Sequence, residues 1–330
     1  MLQVQRPRLS ALFFLPYLKY KTVQLFKSTF PIRIISLLAL VIVVCFLAFK
    51  SFQPNEALVS VQPDGALQYQ WYVPKMPNQM DFAGEPLPLQ QFEVKERMQR
   101  EFISNYYMHG SLINVLRLCT RYFPIIESRL QQNGIPDDFK YLCVAESALQ
   151  QPTSPAGAVG FWQFMKATAQ QYGLEVNDQI DERYHLIKAT DAACAFLKAA
   201  YAKFGSWTAA AAAYNCGALG YQNQVIIQGT QDYYNLLLPE ETNRYVFRIA
   251  AFKYLIKYHK QYGFMLNEQD YLKPLAVQSL KIDASIDDWA AFAKERGISY
   301  KLLKLYNPWL RAKNLVVEEG KSYTIYLPIK

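Results

Sequence analysis

The chain has 330 residues and a formal net charge of +8, a length that allows more than one domain with its own apolar core. The charge is concentrated in residues 1–50, which hold seven Lys and Arg and no Asp or Glu, whereas the other 280 residues hold 28 basic and 27 acidic side chains. A chain that is almost neutral beyond its N-terminal segment lacks the basic surface of a nucleic-acid-binding protein, so the composition argues against that class.

An apolar run near the N-terminus predicts a membrane anchor. The run extends from Ile34 to Phe49 with Ser36 as its only polar residue, and Arg33 and Lys50 bracket it. The run is slightly short for a bilayer, but flanking cations reach the headgroups with their long side chains and close the gap. Positive charge on the N-terminal side keeps that side in the cytoplasm. We therefore predict a basic cytoplasmic leader and an uncleaved single-pass anchor, at residues 1–33 and 34–50.

Three other interpretations of the apolar run are a cleaved signal peptide, a buried core helix and a lipoprotein. The lipoprotein is disfavoured because bulky Val43 and Val44, rather than small residues, precede Cys45. The leader is long for a signal peptide, and no small-residue cleavage pattern follows Phe49. The one-sided charge argues against a core helix. Residues 51–90 contain six prolines and no convincing period, which predicts a Pro-rich tether between the anchor and the rest of the chain.

Helical periodicity dominates residues 91–265 and predicts one all-α domain. Glycines and prolines divide this region into segments of helical length. The predicted helices are Gln91–Tyr107, a second one from a turn at 109–111 to Gln132 with Pro124 inside it, one that begins at Pro136, Phe161–Tyr172, Leu186–Phe204, one capped by Ser206, and one from Pro239 to Gly263.

The helix that begins at Pro136 carries a carboxylate in an unusual place. Glu146 lies at helical spacing from Leu142 and Cys143, and the other faces of this helix are apolar as well. A helix that is apolar nearly all round is buried, and burial raises the pKa of a carboxyl. A carboxyl that keeps its proton near neutral pH is what a general acid needs. By residue pattern alone, the better interpretation is a structural Glu paired with Lys, Arg or Tyr.

The C-terminal region has a different pattern. Residues 275–282 alternate in polarity, a helix capped at Ser285 or Asp287 ends at Gly297, Ser299 caps a second helix, and residues 321–327 alternate again. This order predicts a small βααβ unit within residues 270–330.

The five cysteines do not indicate a metal site. None of them stands at metal-ligand spacing with a His. The four outside the apolar run occur in helical apolar contexts, where a free buried thiol is the commoner state, although an oxidising compartment also permits a disulfide.

Four blocks in a fixed order accompany Glu146. They are ES at 146–147, SPAGAVGFWQFM at 154–165, AAYNCG at 212–217 and ETNRYV at 241–246. Together they resemble the goose-lysozyme-like family of lytic murein transglycosylases, and within it the membrane-bound D-type enzymes. The resemblance implies a lysozyme-like all-α catalytic domain at residues 91–265 with a groove for peptidoglycan.

The resemblance also implies a mechanism with Glu146 as the only catalytic acid/base. Protonated Glu146 donates to the oxygen of the β-1,4 bond between N-acetylmuramic acid and N-acetylglucosamine. As a carboxylate it then takes the proton of the muramic acid 6-hydroxyl, which attacks the anomeric carbon and forms a 1,6-anhydro end. The substrate supplies the nucleophile, which agrees with a sequence in which no second carboxylate lies in clear reach. No metal and no cofactor is implied.

Residues that contact the substrate are carried over from the matched blocks. The resemblance implies this role for Ser147, Ser154, Gln163, Met165, Tyr214, Asn215 and Tyr245. Trp162 and Phe164 belong to the same blocks, but core packing is the better interpretation for both side chains.

The C-terminal unit resembles a divergent LysM module. The resemblance lies in Asn307-Pro308 and in the final segment Tyr323–Pro328. It implies a small peptidoglycan-binding domain, and a purely structural cap is the alternative.

These observations predict a peptidoglycan lytic transglycosylase in the inner membrane, with its catalytic domain in the periplasm. A muramidase on the same fold, which would use water as the nucleophile, is the nearest alternative. A non-catalytic wall-binding protein is the alternative from another class.

Overall fold

The computed structural model describes residues 59–61, 67–69 and 71–329. The predicted leader and anchor at residues 1–50 lie outside these ranges. No helix within the described ranges is both long enough and apolar enough to cross a membrane. The described residues before Tyr72 form a hairpin in which β1 (Val59–Val61) pairs antiparallel with β2 (Leu67–Tyr69).

The chain from Tyr72 onward forms one compact unit. Its first element is a tight hairpin of β3 (Asp81–Phe82) and β4 (Glu85–Pro86). Phe82 is fully buried in the helical core, and Met80 and Leu87 are buried beside it. The prediction of a tether as far as residue 90 is therefore wrong at its C-terminal end, because apolar side chains within the Pro-rich stretch pack into the core.

Eight α-helices follow between residues 92 and 257. They are α1 (Phe92–Tyr107), α2 (His109–Gln132), α3 (Phe139–Ser147), α4 (Lys166–Gln171), α5 (Leu186–Phe204), α6 (Trp207–Cys216), α7 (Ala218–Gln228) and α8 (Glu240–Lys257). Short 3-10 turns lie at Glu182–Tyr184, Tyr233–Asn235 and Glu268–Asp270.

Helix α8 lies at the centre of the helical domain and packs against α1, α3 and α6. Its interior side chains, among them Val246, Ile249 and Leu255, are fully buried. Small residues on α6 allow the backbones to approach closely, since Ala209 to Ala213 are all at most 1% exposed. This arrangement brings the end of α3 and the middle of α8 together.

Several helix limits differ from the prediction. Helix α2 begins directly after Met108, without a turn at 109–111, and α8 ends at Lys257, followed by a turn that closes at Gly263. Helix α3 begins at Phe139 rather than at Pro136, because residues 136–138 form a turn whose carbonyls accept hydrogen bonds from the N–H groups three residues later, in place of the α-helical spacing of four.

The helix predicted from Phe161 begins only at Lys166. Gly160 and Gln163 have positive φ angles of 83° and 49°, which no right-handed helix accommodates. Val159 instead forms an antiparallel bridge with Phe164. Residues 152–165 are thus a folded loop, which we call the catalytic loop after the role predicted for Ser154, Gln163 and Met165.

The C-terminal unit has the predicted βααβ order. It consists of β5 (Val277–Ile282), α9 (Trp289–Glu295), α10 (Tyr300–Tyr306) and β6 (Tyr323–Pro328). Strands β5 and β6 are antiparallel, with Val277 opposite Pro328. The cap of α9 is Asp288 rather than Ser285 or Asp287, since the Asp288 carboxylate accepts from two backbone N–H groups of the first turn. We call this unit the C-terminal module.

The predicted fold class is confirmed: a mainly helical chain ends in a small βααβ module with its own core. Trp289, Leu303 and Ile325 are fully buried in that second core. The cysteines of the helical domain, Cys119, Cys143, Cys194 and Cys216, form no disulfide with one another.

Candidate active site

Glu146 lies in the last turn of α3 and lines a groove of about 600 Å³. The catalytic loop, the end of α6 and the outward face of α8 form the other walls. The groove brings together six of the seven predicted substrate-binding residues, Ser154, Gln163, Met165, Tyr214, Asn215 and Tyr245.

A sharp turn directly follows the carboxylate. Ala148 and Leu149 both have left-handed φ angles, 52° and 57°, although neither is a glycine. Each such residue costs about 1 kcal/mol or more. Burial of the Leu149 side chain, which is 1% exposed, offsets part of this cost. The turn ends α3 at Ser147 and leads the chain into the catalytic loop.

The Glu146 carboxyl has an unusually high pKa. Burial raises it to about 7, because the charged form is poorly solvated at the bottom of the groove. Negative charge on Glu241 adds to this rise, whereas the hydrogen bond from Tyr245 and the positive charge of Arg248 oppose it. A carboxyl with a pKa near 7 is half protonated at neutral pH and exchanges its proton readily in both directions.

Tyr245 holds the carboxylate from α8. Its side chain is 1% exposed, and its hydroxyl donates a hydrogen bond to Oε1 of Glu146. Burial and the neighbouring carboxylate raise the pKa of Tyr245 well above its usual range, so the hydroxyl remains a donor at any physiological pH. This contact fixes one oxygen of Glu146 and leaves Oε2 to carry the transferable proton.

We expect Tyr245→Phe to shift the pH dependence of activity to higher pH. The Tyr245 hydrogen bond stabilises the charged form of Glu146 and lowers its pKa, so its removal raises that pKa further. With Glu146 as the predicted general acid, the descending limb of the pH profile, where this carboxyl loses its proton, then moves to higher pH. Initial rates measured from pH 5 to 9 test this expectation. An unmoved limb together with a uniformly lower rate would show that Tyr245 only maintains the packing.

Tyr214 and Asn215 form the wall at the end of α6. Tyr214 is half-buried, and its hydroxyl donates to the Trp162 carbonyl at 2.8 Å. Asn215 accepts a hydrogen bond of 2.8 Å from the Thr242 hydroxyl through Oδ1, which orients its amide. The N–H groups of Asn215 therefore remain available to acceptor oxygens of a ligand in the groove.

The catalytic loop supplies the opposite wall. Ser154 accepts a hydrogen bond from the Ala158 N–H at 2.9 Å, so its own hydroxyl hydrogen is free to reach a ligand. Gln163 donates to the Pro152 and Gly160 carbonyls and thereby braces the loop. Met165 is 45% exposed at the rim, where an apolar side chain offers a surface for a sugar ring.

Ser147 does not belong to this groove. Its side chain is buried, and its hydroxyl donates to the Cys143 carbonyl one turn earlier in α3. The structure therefore does not bring Ser147 together with the other predicted substrate-binding residues, because the helix turns the residue after Glu146 toward the core. Trp162 and Phe164 are 0% and 3% exposed, which agrees with the core packing expected for them.

Sequence reasoning missed two charged residues of the groove. Glu241 lies four residues before Tyr245 and Arg248 three residues after it, so all three occupy one face of α8 and line the groove. The helical spacing from Tyr245 was a usable signal for both. The exposed Glu241 carboxylate also corrects the expectation that no second acid comes near Glu146.

No group of three or more His, Cys, Asp or Glu side chains is placed to hold a metal ion within residues 71–329. Polar contacts in the groove instead come from hydroxyl, amide, carboxyl and guanidinium groups. This donor set suits a neutral, hydroxyl-rich ligand such as a carbohydrate.

Comparison with known proteins matches two regions of the chain to families. Residues 123–237 match the family "Transglycosylase SLT domain" and residues 278–330 match "Soluble lytic transglycosylase C-terminal LysM-like domain". The chain is 28% identical over 265 residues to membrane-bound lytic murein transglycosylase D of Escherichia coli K12 and, to the same extent, to its counterpart in Escherichia coli O6:H1. Each alignment covers 78% of this chain and 54% of the relative, so the chain spans about half the length of these curated relatives.

Proposed function

We propose that this protein is a lytic transglycosylase of peptidoglycan. Residues 123–237 match the transglycosylase SLT domain, and residues 278–330 match the LysM-like domain. The bond cleaved is the β-1,4 bond between N-acetylmuramic acid and N-acetylglucosamine. The observation that carries the proposal is Glu146, a carboxyl with a pKa of about 7 in a groove lined by hydroxyl and amide groups.

Bond cleavage begins with proton transfer from Glu146. Its Oε2 donates to the glycosidic oxygen as the bond to the anomeric carbon breaks, and N-acetylglucosamine departs with a hydroxyl group. The Tyr245 hydroxyl, held on Oε1, stabilises the carboxylate that forms. Arg248 adds positive charge on the same side of the groove, which also favours the ionised form.

The same carboxylate then accepts a proton from the substrate. The 6-hydroxyl of the muramic acid attacks its own anomeric carbon, its proton passes to Glu146, and a 1,6-anhydro ring closes. This step returns Glu146 to the protonated state without water. One carboxyl with a pKa near 7 is suited to both transfers, because neither protonation state is strongly favoured at neutral pH.

Mass spectrometry of the products tests the reaction. Purified peptidoglycan is digested with the protein, and the chain ends are analysed. A transglycosylase leaves 1,6-anhydro ends, which are lighter by one water than the reducing ends that a hydrolase leaves. Reducing ends alone would overturn the proposal in favour of a muramidase.

Glu241 favours the muramidase as the second candidate. Its exposed carboxylate lines the groove that holds Glu146, and a second carboxylate of this kind activates water in many glycosidases. Under the transglycosylase mechanism, Glu241→Gln retains anhydro products and lowers the pKa of Glu146, because a negative charge is lost. A muramidase that used Glu241 as its base would lose turnover in this variant. A non-catalytic wall-binding protein would bind sacculi but would release no soluble fragment from them.

The location of the protein is part of the proposal. The predicted anchor at residues 34–50 would hold the protein in the inner membrane with the groove in the periplasm, and the relatives carry the words "membrane-bound" in their names. The C-terminal module would bind glycan strands beside the groove. We propose the membrane anchor, the periplasmic groove and glycan binding by the module together, because peptidoglycan lies outside the cytoplasmic membrane.

A further inference from the structure

Residues 177–184 connect the C-terminal module with the catalytic loop. They lie between α4 and α5 in the helical domain and include the 3-10 turn Glu182–Tyr184. One end of this connecting segment contacts the module, and the other end contacts the loop that carries Ser154, Gln163 and Met165. No residue of the segment lines the groove.

The first end is built into the module. Ile180 forms an antiparallel bridge with Leu310, and the Asp181 N–H donates to the Trp309 carbonyl at 2.9 Å. The Arg311 N–H donates in turn to the Gln179 carbonyl at 2.8 Å. The Ile180 side chain is 1% exposed and belongs to the apolar core of the module. The helical domain thus completes the core of its neighbour, which fixes the two against each other.

The second end holds the catalytic loop through Arg183. This side chain is buried, and Nη1 donates to the Gly157 and Phe164 carbonyls, both at 3.1 Å. One of these carbonyls lies in the middle of the loop and the other lies next to its C-terminal end. Nε and Nη2 donate to the Asp181 carboxylate at 2.9 and 2.8 Å, so a planar fork orients the guanidinium.

Two further contacts tie the same segment to the loop. A Cβ added to Gly160 would lie 2.1 Å from the Arg183 carbonyl oxygen, which shows how closely the two backbones approach. The hydroxyls of Tyr184 and Thr153 are 3.2 Å apart. Within the module, the Arg311 guanidinium stacks 4.4 Å above the Tyr184 ring. A shift of the segment would therefore move the catalytic loop.

We propose that the C-terminal module sets the position of the catalytic loop through residues 177–184, with Arg183 as the positioning residue. The part of this proposal that concerns turnover rests on the function proposed above. The module then contributes to turnover even for a substrate too short to reach it. This role differs from glycan binding by the module, which would affect only long strands.

Three full-length variants test the proposal. Ile180→Ala weakens the contact with the module, and Arg183→Lys keeps the charge but loses the fork. Ile325→Ala is the matched control: it removes the same atoms from the module core, but its backbone pairs with Leu280 on β5 instead of the connecting segment.

The first measurement is hydrogen exchange of residues 152–165, which does not depend on activity. We expect exchange in this loop to accelerate at least about tenfold in Ile180→Ala and Arg183→Lys and to stay within about twofold of the unmodified protein in Ile325→Ala. Equal exchange in all four proteins would overturn the proposal, and so would equal acceleration in the control. If Arg183→Lys does not fold, the comparison of exchange rates between Ile180→Ala and Ile325→Ala tests the proposal.

The second measurement is turnover of a soluble peptidoglycan fragment of two disaccharide units. We expect kcat to fall about tenfold to a hundredfold in Ile180→Ala and Arg183→Lys, with KM changed by less than about threefold, because the groove side chains remain but are misaligned with Glu146. Unchanged kcat in both folded variants would contradict the role of the segment. If the unmodified protein turns over neither fragment nor sacculi, the proposed function fails, and the exchange measurement still decides the inference.

Discussion

Glu146→Gln is expected to lower turnover of peptidoglycan by at least about a thousandfold while the protein still folds and binds its substrate. Glutamine has the same shape as the protonated carboxyl and still accepts the hydrogen bond from Tyr245, but it has no proton to donate. General acid catalysis alone contributes a factor of about 10² to 10⁴ in rate. In the proposed mechanism this carboxyl acts twice in each cycle, first as the acid and then as the base. The release of soluble fragments from sacculi measures the loss.

The control for this variant is Glu240→Gln. Glu240 is the first residue of α8, and its carboxylate is exposed and paired with Arg100 rather than directed into the groove. We expect this variant to retain full turnover. Cleavage by Glu146→Gln at a rate near that of Glu240→Gln would refute the assignment of the acid.

The stability of Glu146→Gln provides an independent check on the pKa. In the folded protein the carboxyl has a pKa of about 7, above the ordinary value of 4.5, so the native state binds this proton more tightly than the unfolded state does. The stabilisation is complete below about pH 4.5 and is lost as the pH rises through 7. The variant, which stays neutral, should exceed the unmodified protein in free energy of unfolding by up to about 3 kcal/mol at pH 8. If the variant and the unmodified protein had equal melting temperatures at pH 8 as well as at pH 5, the carboxyl would not be desolvated.

Gly160→Ala is expected to cause the largest loss of stability from a single added methyl group in the catalytic loop. The new Cβ would lie 2.1 Å from the Arg183 carbonyl oxygen and 2.9 Å from its carbon, and backbone atoms cannot yield as a flexible side chain would. The φ of 83° adds strain for any residue with a Cβ. Together these effects should lower the free energy of unfolding by about 3 kcal/mol or more, a fall of roughly 10 °C in Tm for a unit of this size.

Gly157→Ala separates the two causes. Gly157 has nearly the same φ, 87°, but a Cβ there meets no atom within 4 Å. Only the conformational strain applies, about 1 kcal/mol, so thermal unfolding should show a fall of roughly 3 °C. If Tm fell equally in both variants, the close approach of Gly160 to Arg183 would not contribute to the loss of stability. Turnover should fall more in Gly160→Ala as well, because the loop must move away from Arg183.

The sequence predicted the helical domain well where periodicity is long and the end signals are strong. Helix α5 has the predicted limits Leu186 and Phe204, since a glycine in the left-handed conformation ends it. The limits failed where tertiary contacts compete with local preference. Phe161 opens a plausible helix, yet Gln163 has a positive φ and the Phe164 carbonyl accepts a hydrogen bond from Arg183, so the helix begins only at Lys166.

The groove could be predicted only in part. The blocks around Glu146 indicated six of its lining residues, because they follow each other in a recognisable order. The structure does not place Ser147 in the groove, since a sequence block does not say which way a side chain points at a helix end. Glu241 and Arg248 were missed, although their spacing from Tyr245 places all three on one face of α8.

The mainly helical class, the βααβ module and the carboxylate on an apolar helix could all be predicted from the sequence, because hydrophobic periodicity and glycine positions are local properties. The acidity of that carboxylate, in contrast, depends on residues that are distant in the sequence. Its pKa of about 7 depends on burial and on Tyr245, Glu241 and Arg248, which lie about a hundred residues away in the chain. The same holds for Arg183, whose two carbonyl acceptors and the nearby contacts with the C-terminal module exist only once the chain has folded.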